Sequence, residues 1–276
     1  MLTDLHVHLR PDDSNATAAE HFTTANAERY QAVASERGIG VLGVSEHVHR
    51  FEQALSVWRH PFWQMSATDD LDEYCEFVRD RTTLSLGIEA DFVQGAEDRM
   101  ATLLDAREWD YVIGSVHFLR DKAIDMRGDW DVWTHEDPEK VWRRYFETLG
   151  EAARSGMFDI LAHPDLVKVW GRDAPQPGGD LRRFYDLAMD GISESDVAIE
   201  VSTAGLRKPV GEIYPDRAFL EMVVDAGNPI ALSSDAHTPE QLGHEYARAV
   251  ELLSDLGVRE IAVFERRTRR MEPLGA

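Results

Sequence analysis

Short apolar runs alternate with amphipathic stretches along the whole chain. Residues 2–8, 40–45, 84–89, 111–117, 160–163, 197–201 and 230–234 read as strands, with 261–264 as a late addition. Each is of strand length and bounded by turn-forming or polar residues. Between them, apolar positions recur at helical spacing. Residues 138–155 align Val141, Trp142, Tyr145, Leu149 and Ala152 on one face, with Pro138 tolerated in the first turn. Residues 239–253 align Leu242, Tyr246, Ala249 and Leu253, and Thr238 is placed to cap that helix ahead of Pro239 and Gln241. Alternating strands and helices predict a parallel sheet. Seven or eight such units, with no evident linker or internal repeat, predict that residues 1–276 form one domain and that its sheet closes into a β/α barrel. Segments 49–69, 119–137 and 172–180 read as long loops, of the kind that cover a barrel's active-site mouth.

Polar residues break the apolar runs where the strands should end. The first is Asp4-Leu5-His6-Val7-His8, in which strand alternation predicts that Asp4, His6 and His8 share a face with Leu5 and Val7 behind. A carboxylate beside two imidazoles would orient them on a metal. Later strands end in Glu46-His47-Val48-His49, Glu89-Ala90-Asp91, His117, His163-Pro164-Asp165 and Ser234-Asp235-Ala236-His237, while the sixth carries Glu200 and Ser202. In a barrel these ends converge on one face. A lone strand-end histidine is most often a hydrogen-bonded structural residue. Converging imidazoles are another matter: they repel one another if protonated, and a cation would hold them neutral and oriented. Nitrogen and carboxylate ligands without thiolates suit zinc, manganese or iron. The ligand supply exceeds one ion's needs, so two or three divalent ions sharing a bridging carboxylate are expected. Such clusters activate water and clamp phosphoryl oxygens, which makes phosphoester hydrolysis the leading chemistry. Gly38-Ile39-Gly40 lacks the further glycines of a phosphate-binding or dinucleotide loop. His21, His60, His135 and His244 have no strand-end context and are expected to be surface or structural residues.

Charge and cysteine content narrow the partners. With 29 basic against 51 acidic residues the formal charge is −22, which repels phosphate backbones and argues against nucleic acid. The single cysteine, Cys75, excludes an internal disulfide framework and a Cys-rich zinc module. It lies in a helical pattern and is expected to be a packed thiol rather than a catalytic one. No apolar run approaches the ~18 residues of a membrane span, and the N-terminus lacks a signal-peptide pattern. A cytoplasmic protein acting on a small phosphorylated molecule is therefore expected, its oligomeric state open.

The strand-end residues, in this order, resemble the PHP (polymerase and histidinol phosphatase) superfamily. The resemblance runs from Asp4-Leu5-His6-Val7-His8 to Ser233-Ser234-Asp235-Ala236-His237. Ser45-Glu46-His47, Gly114-Ser115-Val116-His117-Phe118, His163-Pro164-Asp165-Leu166-Val167-Lys168 and the segment from Glu200 to Pro209 look like its histidinol-phosphate phosphatase branch. It implies a distorted (β/α)7, TIM-like barrel. It also implies that His6, His8, Glu89 and Asp235 hold one ion, that Glu89 bridges to a second completed by His117 and His163, and that His47 and His237 hold a third. The family often supplies one more histidine after the first pair. Here Leu9-Arg10-Pro11-Asp12-Asp13 follows, and Asp12 is the positional substitute, with Asp13 the alternative. The implied reaction is attack of a metal-bridging hydroxide on phosphorus, with Asp235 or His237 assisting proton transfer to the leaving oxygen. Arg207, Lys168 and Arg10 are the candidates to grip phosphate, Glu46 and Asp165 those to support ligands from behind. L-histidinol phosphate is the expected substrate. Another small phosphomonoester or a nucleotide is the alternative, and a non-catalytic metal-binding module a third reading. Trp58, Phe62, Trp63, Trp130 and Trp170 are available to meet an imidazole.

Overall fold

The structure, a computed structural model, describes residues 1–13, 15–134 and 136–275. Its strands in chain order are β1 (Leu2–Asp4), β2 (Ile39–His47), β3 (Ser85–Asp91), β4 (Tyr111–Ser115), β5 (Phe118–Leu119), β6 (Lys122–Ala123), β7 (Ile160–Leu161), β8 (Ala198–Ser202), β9 (Ile230–Ser233), β10 (Glu260–Glu265) and β11 (Thr268–Pro273). Seven of them form one parallel sheet in the order β1-β2-β3-β4-β7-β8-β9. Its two edges meet at a parallel bridge between Val7 and Ala236, where His8 N donates to Ala236 O at 2.8 Å and Ala236 N to His6 O at 3.2 Å. The result is a nearly closed seven-stranded barrel with helices outside. No described helix is long and apolar enough to cross a membrane.

Inward positions make the floor on which the site rests. Leu5, Tyr111, Ile113, Ile160, Ala162, Ala198 and Ala231 pack with Ala262 and Phe264 inside the barrel. Tyr111 needs glycines on its neighbours: a Cβ at Gly43 or Gly87 would lie 2.3 Å from its side-chain atoms. The run at 261–264 is thus not an eighth barrel strand. It belongs to β10, which pairs antiparallel with β11. The turn of this hairpin docks at the N-terminal strand ends, where Arg267 N donates to Asp110 O at 2.8 Å and Arg267 Nε to Asp159 at 2.9 Å.

Two further expectations are corrected. The predicted helix over 239–253 is split into a 3-10 turn, Pro239–Gln241, and an α-helix, Tyr246–Asp255. Gly243 and Glu245 between them take positive φ, Gly243 N donates to Asp4, and Gln241 turns its side chain to accept from His237 N at 2.8 Å. Thr238 makes no side-chain cap. The strand alternation at the N-terminus also breaks. Leu5 faces the barrel interior, while the Asp4 carboxylate accepts from Ser234 N at 2.9 Å and Gly243 N at 3.1 Å, away from His6.

Cys75 sits half-buried on the helix Leu71–Arg81. Burial pushes its thiol up to about 12. Alkylation at pH 8 should therefore run at least about a hundredfold slower in the folded protein than in denaturant, because the thiolate is the nucleophile. Equal labelling rates by mass spectrometry would refute this.

Candidate metal centre

The C-terminal strand ends bring the sequence-predicted ligands together around Glu89. This carboxylate sits on β3, buried, with its two oxygens facing two different groups of imidazoles. Its Oε2 lies 3.3 Å from His6 Nε2 and 3.5 Å from His8 Nε2, and touches His47 Nδ1. Its Oε1 lies 3.2 Å from His163 Nε2 and 3.4 Å from His117 Nε2, and accepts from Ser115 Oγ. Asp235 closes the first group, 3.7 Å from His6 Nε2 and 3.5 Å from His8 Nε2. His237 follows it, its ring stacked on that of His8 at 4.2 Å. Among the described residues, four overlapping sets of three donors are compact enough for an ion: His6, His8 and Asp235; His6, Glu89 and His163; His47, Glu89 and His117; His8, His47 and His237.

Chain geometry aims these groups. His163 and Asp235 both leave their strands with positive φ, 26° and 51°. Non-glycine residues in that region store strain, which concentrates at functional sites. The turn at Asp235 is held by Arg207, whose Nη2 donates to the Ser234 and Asp235 carbonyls at 2.8 Å each. Asp12, with its side chain 60% exposed, reaches the mouth 2.9 Å from His237 Nε2 and 3.6 Å from His47 Nε2. Asp13 instead accepts from Asn15 N at 2.8 Å, within a local turn. Buried Arg50 fixes this loop by pairing with Asp12 and Glu46 and by donating to Arg10 O at 2.6 Å. Glu46 in turn accepts from Leu9 N at 2.6 Å.

Two carboxylates that sequence reasoning did not assign orient the imidazoles. His6 Nδ1 lies 2.9 Å from Glu200 Oε1 and His117 Nδ1 lies 2.8 Å from Asp91 Oδ1. Each contact holds the Nδ1 side of the ring against a carboxylate and turns Nε2 toward Glu89. The signal was available: Asp91 is two residues beyond Glu89 on one strand face, and Glu200 occupies an inward position of β8. Glu200 also accepts from His163 N at 2.7 Å.

The electrostatics follow from this crowding. Burial opposes charge on Glu89, yet His47, His6 and His117 hold its carboxyl well below the usual range. Burial also opposes charge on His117, but Asp91 and Glu89 raise it to about 10. Burial, with the neighbouring His237 and His47, drives His8 well below its ordinary value. Even so, His6 Nε2, both ring nitrogens of His8 and Glu89 Oε2 are buried without a hydrogen bond among the described residues. Ring nitrogens and a carboxylate oxygen left without protein partners around one space are what a divalent cation takes up.

The basic candidates are distributed differently. Lys168 is buried against Asp165 at 2.9 Å and Ile213 O at 3.1 Å, so this ion pair supports a loop rather than a ligand. Arg10 lines the mouth but pairs with Asp69. Lys208, the neighbour of Arg207, is the cation that lines both cavities over the site. The inner cavity, about 150 Å³, is walled by His117, His163, Asp235, His237, Trp170 and Tyr214. The Tyr214 hydroxyl there is buried with no partner among the described residues. The outer cavity, about 710 Å³, adds His49, Phe62, Met65 and Phe118. Phe62 and Trp170 thus reach the mouth, whereas Trp63 is packed in the core. His60 stacks on Trp58 at 4.5 Å and accepts from Phe62 N, a structural role. His21 and His244 are not among the converging groups, and His135 lies outside the described residues.

Known proteins share this arrangement's frame. The PHP domain matches residues 4–204. A probable histidinol-phosphatase of Deinococcus radiodurans is 32% identical over 99% of both chains, a span that also takes in Asp235 and His237. A histidinol-phosphatase of Bacillus subtilis is 26% identical over 63% of this chain and 70% of its own. A histidinol phosphate phosphatase of Lactococcus lactis, solved with zinc, L-histidinol and phosphate, shares the fold at a TM-score of 0.74, with 18% identity and 98% of each chain covered. With its barrel, its strand-end ligands and a matched stretch covering most of its length, this chain belongs to the PHP domain family.

Proposed function

We propose that this protein is a metal-dependent phosphatase that hydrolyses L-histidinol phosphate to L-histidinol and phosphate, in the cytoplasm, as a step of histidine biosynthesis. The carrying observation is Glu89, one buried carboxylate whose two oxygens face separate imidazole groups at a barrel mouth. That is the donor set of a bridged ion pair, and the unpaired nitrogens of His6 and His8 fit it. The substrate follows from the relatives: the full-length one is named a probable histidinol-phosphatase, and a structural neighbour binds L-histidinol, phosphate and zinc.

His6, His8, Glu89 and Asp235 would hold one divalent ion, Glu89, His117 and His163 a second, and His47 and His237 with Asp12 a third, zinc, manganese or iron suiting such donors. Bound there, the ions lower the pKa of a water and offset charge on the phosphoryl oxygens. The rest falls to the chain. Glu200 and Asp91 keep His6 and His117 in the tautomer whose Nε2 faces the centre. Burial of these ligands excludes bulk water and strengthens every charge interaction inside. Asp235 or His237 would pass a proton to the leaving oxygen. Lys208 supplies positive charge at the mouth for the phosphate, and Arg207 holds the Asp235 turn.

Phosphate release from L-histidinol phosphate, measured beside a panel of other phosphomonoesters and nucleotides on protein loaded separately with Mn, Zn and Fe, tests the reading. A kcat/KM at least about tenfold above the panel, ~1.4 kcal/mol of transition-state preference, is expected. A flat profile or another winner would overturn the substrate and leave the metal hydrolase.

A further inference from the structure

The loop between β6 and the helix Pro138–Arg154 is pinned at one atom. Trp133 Nε1 and Trp170 Nε1 both donate to the Ile124 carbonyl oxygen, at 2.9 and 2.8 Å. A carbonyl has two acceptor sites, and here both are taken by indoles from different loops. Ile124 N donates to the carbonyl of the candidate ligand His117 at 2.9 Å. Just beyond, the Arg127 guanidinium lies 4.0 Å over the Trp170 ring, donates to Asp173 O at 2.7 Å and pairs with Asp131 at 3.1 Å. Residue 125 is therefore fixed from both sides on an otherwise irregular segment.

That residue is Asp125, half-buried and lining both cavities of the mouth. It makes no ion pair or hydrogen bond among the described residues, although its charge acts on the buried Tyr145 and Tyr214 hydroxyls. With the ligand carboxylates given over to the ions, a further carboxylate held at the mouth opposes an incoming phosphate and attracts a cationic group on the same molecule. Lys208 lines the same two cavities. Among the side chains that line both cavities and are not candidate ligands, Lys208 is the cation and Asp125 the anion, which complements a zwitterion: a phosphate at one end and a protonated amine at the other.

We propose that Asp125, held by the two indoles on Ile124, is the specificity residue that grips the ammonium group of an amine-bearing phosphomonoester. The inference rests on the phosphatase reading above and adds the group that selects among phosphomonoesters. A charge-assisted contact of this kind, made at a partly dehydrated mouth, favours the amine-bearing compound by roughly ten- to a hundredfold.

The test uses two compounds differing only in the amine: L-histidinol phosphate and 3-(imidazol-4-yl)propyl phosphate. The readout is the ratio of their kcat/KM values in the metal-loaded protein and in Asp125→Asn and Asp125→Glu. The wild-type ratio should favour the amine by at least about tenfold. Asp125→Asn should bring it toward one, mainly through KM for the amine-bearing compound, and Asp125→Glu should retain part of it. If Asp125 acted only through the ions or the loop, both compounds would suffer alike and the ratio would stand unchanged in Asp125→Asn. That result overturns the proposal alone. Turnover of neither compound by the wild type would overturn the phosphatase reading and this proposal with it.

Discussion

Replacing Glu89 by glutamine is expected to lower kcat/KM for a phosphomonoester by at least about a thousandfold, ~4 kcal/mol of lost transition-state stabilisation. The change conserves volume, so it isolates charge and donor type. The two carboxylate oxygens face different imidazoles: Oε1 lies 3.2 Å from His163 and 3.4 Å from His117, Oε2 3.3 Å from His6 and 3.5 Å from His8. An amide offers one acceptor oxygen, and its NH2 would face ring nitrogens or a cation on the other side. Ser115 Oγ, which donates to Oε1, would favour keeping the amide oxygen there, leaving the His6–His8 side with the wrong group. Metal content of the purified variant, measured by mass spectrometry of the ions, should fall below that of the wild type while circular dichroism shows the barrel intact. Replacing His117 by alanine should act in the same direction through one ion only. Full turnover and full metal content in Glu89→Gln would refute the bridging role.

Much of this was legible in the sequence because a parallel barrel turns a one-dimensional pattern into a three-dimensional one. Each strand end contributes to one face, so His6, His47, Glu89, His117, His163 and Asp235 could be gathered without knowing any contact. What was not legible depends on departures from regular geometry. Alternation placed Asp4 with His6 and His8, but β1 stops at Asp4, and the chain turns Leu5 into the barrel. Helical periodicity joined residues 239–253, but Gly243 in a left-handed turn gives its N–H to that same Asp4. The basic residues were least readable. Lys168 and Arg207 lie in the expected loops, yet their partners, Asp165 three residues away and the carbonyls of a distant strand end, could not be read from spacing. Long flexible side chains carry little positional information until their surroundings are known.

Asp4 and Glu200 make the clearest experimental contrast, since alternation assigned the first a role that the second fills. Replacing Asp4 by alanine is expected to destabilise the protein by about 3–5 kcal/mol, with a melting temperature roughly 10 °C lower. Its buried carboxylate accepts from Ser234 N at 2.9 Å, from Gly243 N at 3.1 Å and from Ser234 Oγ. Alanine would leave those donors unpaired at the seam where β1 meets β9, and an unmade buried hydrogen bond carries the desolvation penalty of the orphaned group. Glu200→Gln should behave in the opposite way. It keeps one acceptor oxygen, enough for His6 Nδ1 or His163 N but not both, and removes the negative charge that makes the imidazole a better ligand. Metal affinity should drop by about ten- to a hundredfold with the fold preserved. Melting both variants in the presence of a chelator separates the effects, because ligand-linked stabilisation then vanishes from all samples. A normal chelated melting temperature with weakened metal binding in Asp4→Ala would return Asp4 to the role that strand alternation suggested, and would place the barrel's closure on the Val7–Ala236 bridge and the Thr3 Oγ1 bond to Leu232 O.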